Sequence, residues 1–317
     1  MQPAAVPGAC PKHEPLKSLM TARNLAVLAP AKINLWLRVL GRRDDGYHLL
    51  DSLMLPIGLF DELTIRMTSR TRTSPTGSAI TVTSDSDAAP GGPTNLAYRA
   101  ANLLLGSATQ SLDVRVHIAK RIPVGSGLGG GSSDAAAVLL ALNQYLGEPY
   151  TIAQLAALGG RIGADVSFFV FGRPARVRGI GEQIMPLEAW APFPLVVCSD
   201  GYALSTKLVY SKVDLSLTSA RPDSTIGAFV IDRGPPSELL VNDLEAAAAQ
   251  IHPEVLTLKA RLLEQGARGA LMTGSGSAVF GVFVDAQQAQ RAAAALRMQG
   301  LWAEAVHTLD MSPAVRH

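Results

Sequence analysis

The chain has 317 residues, 48% of them hydrophobic and 17% charged, and a formal net charge of +2, so it can bury a sizeable core. That balance, with no Lys/Arg run, excludes an electrostatic footprint for nucleic acid, and no apolar run reaches the ~20 residues needed to cross a bilayer. Two cysteines, Cys10 and Cys198, exclude a disulfide framework and point to a reducing compartment, so a cytoplasmic location is expected.

Residues 1–22 hold four prolines and no apolar signal core, which predicts a disordered extension, with Met20 as an alternative start. Residues 25–48 (LAVLAPAKINLWLRVLGRRDDGYH) alternate in short apolar runs and predict two strands. DELTIRM and SAITVTS add strands, and 84–94 is a polar Pro/Gly loop. The spacing predicts a helix over 95–106, and LDVRVHI at 112–118 predicts a half-buried strand. A helix follows from Ala135 to Leu146, then another at TIAQLAALGGRIG and a strand at VSFFVFG. The Pro-rich stretch 185–194 marks a boundary between domains at 23–186 and 191–312. Beyond it come a strand at LVVCSD, two helices around Pro253, a glycine-broken strand pair at GALMTGSGSAVFGVFV, a helix and a short strand. Strands and helices mixed without strict alternation indicate an α+β protein in two domains.

The densest signal is IPVGSGLGGGSSDAAAVLLALN at 122–143, where every residue from Gly125 to Ser133 except Leu128 is Gly or Ser. Glycines let backbone N–H groups approach a ligand closely, and a helix start offers unpaired N–H groups and a positive dipole end. Ser132, Ser133 and Asp134 are good N-cap types, and Ile122 and Leu128 are apolar anchors for the loop. The pattern fits a polyphosphate site; a tight strand-to-helix turn is the alternative. Gly125, Gly127 and Gly130 match G-x-G-x-x-G, but Glu148 sits at a helix exit, where no ribose-binding acid of a dinucleotide fold belongs. A Walker loop needs a lysine, and none occurs from Pro123 to Asn143.

PVGSGLGGGSSDAAA resembles the signature loop of the GHMP kinases, and the likeness continues in order through residues 29–54, GADVSFFVFG (163–172), NDLE (242–245) and MTGSGSAVFGVF (272–283). The resemblance implies an amino-terminal domain like ribosomal protein S5, a ferredoxin-like carboxy-terminal domain and a site in the cleft between them. It implies transfer of a phosphoryl group from ATP, accompanied by Mg²⁺, to the 2-hydroxyl of 4-diphosphocytidyl-2-C-methyl-D-erythritol in the non-mevalonate route to isoprenoids. A mevalonate-type kinase and a non-catalytic nucleotide-binding protein are the rival readings. A small-molecule substrate, no nucleic acid, no membrane, and a monomer or homodimer are expected.

Residue by residue, the resemblance makes Asp165 the base and Lys32 its partner; alone, Asp165 reads equally as a turn or cap aspartate and Lys32 as a solvated strand lysine. Asn34 lies two residues from Lys32 and so on the same strand face. Tyr47 is expected to stack on the cytosine and His48 to bond its edge; a Tyr–His pair in a hairpin is otherwise simply exposed. ATP is expected against Pro123, Val124, Gly125, Ser126, Gly127, Leu128, Gly129, Gly130, Gly131, Ser132 and Ser133, with Asn95 and Lys120 on the adenine side. Without the resemblance, Asn95 is a helix cap and Lys120 a surface charge. Gly274, Ser275 and Gly276 are expected at the substrate diphosphate or sugar, or in a plain Gly-rich hairpin. Ser132 or Ser133 and Asp165 are candidate Mg²⁺ ligands, and NDLE is assigned only a capping role. Three departures from the family pattern stand out: Ser167 where proline is common, which predicts a looser strand after Asp165, and Ser126 and Thr273 in place of other small residues.

Overall fold

The structure is a computed structural model and describes residues 22–69, 78–106, 111–217, 235 and 237–313. The expectation of a disordered extension therefore lies, but for Ala22, outside the described residues, as does Cys10.

Two long antiparallel strands carry the first sheet. Strands β1 (Arg23–Arg42) and β2 (His48–Ser69) pair from Arg42↔His48 at the tip to Arg23↔Met67 at the far end. The expected pair of strands over 25–48 is thus one strand. Pro30 and Gly41 are absorbed within it, the register shifting at Pro30/Ala31, Asn34/Trp36 and Val39/Gly41. At the tip, Gly46 has φ 90° and Arg43 N donates to Tyr47 O at 2.8 Å, closing the turn at Asp45–Gly46.

Strands β3 (Ala79–Ser84) and β4 (Leu112–Ala119) extend the sheet beyond β2, and β5 (Ala175–Gly179) and β6 (Gln183–Pro186) branch from it. Helices α1 (Leu96–Leu105), α2 (Gly130–Tyr145), α3 (Ile152–Gly160) and α4 (Ala164–Phe171) pack on one face. Leu63, Ile65, Val114, Val116, Leu139 and Phe168 form the core between sheet and helices. Here VSFFVFG is helix α4 and not a strand. An apolar run this short carries no period that separates a strand from a buried helix. Gly163 before it is extended and Gly172 after it is left-handed, the boundaries of a short helix. Ser167 consequently loosens no strand: its Oγ donates to Ala156 O at 2.7 Å inside the helical layer.

The second sheet has the order β11–β7–β10–β9, all antiparallel, from β7 (Pro194–Ser199), β9 (Gly269–Met272), β10 (Val279–Val282) and β11 (Trp302–His307). Helices α6 (Glu245–Ile251), α7 (Glu254–Glu264) and α8 (Ala286–Met298) complete the βαββαβ order of a ferredoxin-like unit. Alternate residues of β7 point opposite ways: Val196 and Cys198 meet the helices, while Leu195 and Val197 meet β1 and β2. The chain crosses back twice. The two-residue β8 (Val241–Asn242) pairs in parallel with β1, and Leu309 N donates to Pro56 O at 2.8 Å.

Candidate functional site

The face-to-face sheets decide which way β1 presents its side chains. Ala31, Ile33 and Leu35 are fully buried against the second sheet with Leu195, Val197 and Phe280. Lys32 and Asn34 therefore point to the other side, into a cleft of about 1210 Å³, large enough for two ligands together. Lys32 is no solvated strand lysine: it is 3% exposed, donates to Asn34 Oδ1 at 2.7 Å, and its Nζ stands 3.9 Å from Asp165 Oδ2. Burial pushes its pKa below the ordinary lysine value, and the Asp165 charge offsets part of that. Asn34 is fixed in turn, Nδ2 donating to Ser52 Oγ at 2.8 Å and the backbone N to Thr273 Oγ1 at 3.1 Å.

Asp165 lies in the first turn of α4, at the positive end of the helix, with its side chain 39% exposed to the cleft. The sequence reading placed it at the entry to a strand; the helix start aims it across the cleft at Lys32 instead.

The glycine loop meets β1 beside this pair, with Lys32 N donating to Leu128 O at 3.0 Å. Four of its carbonyls are used by the protein: Gly125 O by Leu204 N, Ser126 O by Ala278 N, Leu128 O by Lys32 N and Gly129 O by Ser133 N. Because a trans peptide points its C=O and the following N–H in opposite directions, the amides of Gly127, Gly129 and Gly130 are turned away from those contacts. Among the described residues none accepts from them. The start of α2 is capped by Gly129, in the left-handed region at φ 77°, with no side-chain cap, which corrects the expectation for Ser132, Ser133 and Asp134. Those three lie inside the helix, Asp134 beyond its first turn. Ser133 is 1% exposed, does not line the cleft, and its Oγ has no hydrogen-bond partner among the described residues.

The glycines also answer to the protein itself. A Cβ on Gly127 would lie 2.3 Å from Thr273 O, and one on Gly274 would lie 2.9 Å from Gly127 O and 3.0 Å from Lys32 Nζ. Two glycine turns, 125–129 and 273–276, press backbone to backbone. Gly131 has more room: the nearest atom to its Cβ would be Leu96 Cδ1 at 3.7 Å.

Lys120 is neither a surface charge nor free. Its ammonium bonds Asp61 Oδ2 and, at 2.9 Å, Asp134 Oδ2, with all three side chains at most 6% exposed. Asp61 Oδ1 accepts from the backbone of Arg121 at 2.7 Å and Ile122 at 2.9 Å, so this carboxylate on β2 holds the root of the glycine loop. Burial pushes Asp134 up to about 7, Lys120 opposing and the Asp61 charge adding to the rise. Asn95 does cap α1, its Oδ1 accepting from Ala97 N at 2.8 Å, and it lines the same end of the cleft.

At the other end, Tyr47 and His48 line the cleft from the β1–β2 tip, with Tyr47 61% exposed. Burial and then the Arg42 charge lower the His48 pKa, which favours the neutral ring, one nitrogen donating and the other accepting. Opposite stands Tyr210, on α5 (Thr206–Ser211), its ring 5.1 Å from His48; burial and then the Asp165 charge hold its hydroxyl protonated far above the usual range. Thr206 Oγ1 lies 2.8 Å from Ser275 Oγ. Of the residues expected from the sequence, all line the cleft except Leu128, Ser133 and Gly276.

Sequence reading missed Asp61, Thr206 and Tyr210, and gave Asp134 and Asn242 capping roles alone. NDLE does not cap α6, whose N-cap Leu244 has no side-chain cap. Asn242 Nδ2 instead donates to Met272 O at 2.8 Å and Gly274 O at 2.9 Å, holding the second glycine turn.

Comparison with known proteins gives the following. Residues 95–173 match the GHMP kinases N terminal domain and residues 231–300 the GHMP kinases C terminal domain. The 4-diphosphocytidyl-2-C-methyl-D-erythritol kinase of Geobacter sp. (strain M21) is 42% identical over 288 residues, 90% of this chain and 100% of that protein. A crystal structure of 4-(cytidine 5'-diphospho)-2C-methyl-D-erythritol kinase superposes with TM-score 0.74 at 41% identity, covering 90% of this chain and 99% of the other. A homoserine kinase from Cytophaga hutchinsonii shares the fold alone, with TM-score 0.68 at 17% identity over 96% of this chain and 99% of its own.

Proposed function

Because the chain belongs to the GHMP kinases, we propose that it moves the γ-phosphoryl group of ATP to the 2-hydroxyl of 4-diphosphocytidyl-2-C-methyl-D-erythritol, with Asp165 as base and Lys32 as its cationic partner. It is a phosphotransferase, as its relatives are. The single observation that carries the mechanism is the Lys32–Asp165 couple facing the free amides at the start of α2 across one cleft.

In this reading the triphosphate lies on the amides of Gly127, Gly129 and Gly130 and the helix dipole of α2, which favour an anion without a lysine in the loop. The acceptor hydroxyl enters the gap between Lys32 Nζ and Asp165 Oδ2. Asp165 takes its proton as the new O–P bond forms and the bond from the γ-phosphorus to the β-phosphate oxygen breaks, leaving ADP. Lys32, held by Asn34, keeps the carboxylate and the incoming oxygen in line.

Mg²⁺ with ATP offsets phosphate charge. It takes oxygen ligands, and the cleft offers the Ser132 hydroxyl and the Asp165 carboxylate. In this reading those two oxygens would supplement the phosphates in holding it.

The cytidyl group lies between Tyr47 and Tyr210, with the neutral His48 ring reading a base edge that has both donors and acceptors. This arrangement supports a cytidyl acceptor over mevalonate, which has no ring to stack. Retention of both Lys32 and Asp165 within 3.9 Å supports catalysis over nucleotide binding alone. A coupled assay with ATP and the cytidyl alcohol, mevalonate or homoserine tests the reading: turnover of the first alone is expected, and turnover of mevalonate in its place overturns it.

A further inference from the structure

A second cluster of charged groups sits at the joint between α6 and α7. His252 Nε2 lies 2.6 Å from Asp200 Oδ2, and His252 Nδ1 lies 3.2 Å from Glu254 Oε2. The Tyr202 ring is stacked on the imidazole, centroids 4.1 Å apart and planes 10° from parallel. One histidine thus grips two residues, Asp200 and Tyr202, of the segment that leaves β7.

That segment, residues 200–205, is neither helix nor strand, so its order depends on its anchors. Its own local bonds are two backbone-to-side-chain contacts of 3.1 Å, Gly201 N to Ser199 Oγ and Tyr202 N to Asp200 Oδ1. Ser205 caps α5, its Oγ accepting from Leu208 N at 3.4 Å and its carbonyl from Val209 N at 3.0 Å; apart from His252, the remaining hydrogen bonds run to the two glycine turns. Leu204 N donates to Gly125 O at 3.2 Å, and a Cβ on Gly125 would stand 2.7 Å from Ala203 Cβ. Ser277 Oγ donates to Tyr202 O, and Thr206, where α5 begins, meets Ser275. Tyr210 follows one helical turn later, facing His48.

We propose that His252 is a positioning residue for the acceptor half of the cleft, acting through Asp200 and Tyr202 to hold segment 200–206 against Gly125 and Ser275 and so to set Tyr210 opposite His48. The His252 and Asp200 side chains are 11% and 21% exposed, so the pair is shielded from solvent enough to act as a fixed strut. The phosphate end of the cleft is anchored separately, by Lys32 N on Leu128 O and by Asp61 on the loop root. Because the segment meets the nucleotide loop only at Gly125, away from the amides of Gly127, Gly129 and Gly130, loss of His252 acts chiefly on the acceptor substrate. The identity of that substrate rests on the function proposed above; the positioning role does not.

The test is steady-state kinetics of the full chain with His252→Leu and His252→Gln, together with hydrogen exchange of residues 200–211. For His252→Leu the expected result is a KM for the cytidyl alcohol raised about tenfold, with kcat and the KM for ATP within about twofold of the parent. His252→Gln keeps a donor toward Asp200 and should fall between. Amides of 200–211 should exchange faster in the leucine variant. Equal rises in both KM values, or unchanged exchange in that segment, overturn the proposal. If the parent does not turn over the cytidyl alcohol, the function reading fails, and exchange at 200–211 still decides the positioning role. Should His252→Leu not fold, Asp200→Asn and Tyr202→Leu carry the same expectations.

Discussion

Lys32 Nζ and Asp165 Oδ2 stand 3.9 Å apart, too far for a hydrogen bond and near enough for a charge to be felt. Nζ spends a donor on Asn34 at 2.7 Å, which fixes the ammonium while leaving the gap to Asp165 open. A pair already bonded would have to break to admit an alcohol; this one is spaced to receive it.

Lys32→Met should lower kcat by about 10²–10⁴ while the KM for ATP changes little, since the loop amides remain. Burial lowers the Lys32 pKa from the usual 10.5, so the ammonium is lost earlier as pH rises. The alkaline limb of kcat should therefore begin below that value in the parent and move upward in Lys32→Arg. A shared alkaline limb would show that another group titrates there.

Gly127→Ala and Gly131→Ala separate the two uses of glycine in the loop. The first puts a methyl 2.3 Å from Thr273 O at φ 82°, and a thermal melt should show a loss of about 1–3 kcal/mol or more. The second has 3.7 Å of clearance and should melt as the parent does, its effect appearing in the KM for ATP. Equal melting of both variants would contradict the backbone-to-backbone contact of the two turns.

Asp134 should make stability depend on pH in an unusual direction for a carboxylate. Burial raises its folded value to about 7 from 3.8, so between those values the folded chain holds a proton that the unfolded chain releases. Its contribution to stability thus falls as pH climbs from about 4 to about 7, and the penalty is fully present above. Asp134→Asn removes it and leaves Lys120 paired with Asp61. The Tm difference, variant minus parent, should grow across that window; a flat difference refutes the assignment.

Tyr210→Ala should cost about 1–3 kcal/mol of stacking, a rise of roughly 10- to 100-fold in KM for the cytidyl alcohol with ATP nearly unaffected. Tyr210→Phe should stay close to the parent. If the alanine variant raises both KM values alike, Tyr210 shapes the cleft as a whole and does not grip the base.

The parts of this site that the sequence announced are those with local signatures. A Gly/Ser run between an alternating strand and an apolar helix marks residues 125–133, and period-two geometry alone puts Lys32 and Asn34 on one face. The succession of strands and helices in the second half was legible for the same reason, while its ferredoxin-like arrangement followed from the family resemblance. The rest depends on contacts far apart in the chain. Asp61 reaches a loop root 60 residues away, and Asn242 reaches Met272 and Gly274, 30 and 32 residues on. Tyr210 sits on a six-residue helix, too short to show a period. Helix α4 was misread because eight largely apolar residues satisfy a strand and a buried helix equally, and only its boundary glycines and the packing of Phe168 and Phe169 against the layer of α2 choose between them.

The most direct test is Asp165→Asn, which keeps the shape of the side chain and removes its ability to take a proton. Calorimetry should find ATP affinity within about twofold of the parent, while turnover of 4-diphosphocytidyl-2-C-methyl-D-erythritol falls about 10²–10⁴-fold. Turnover close to the parent's, with the nucleotide still bound, would contradict the assignment of Asp165 as the base.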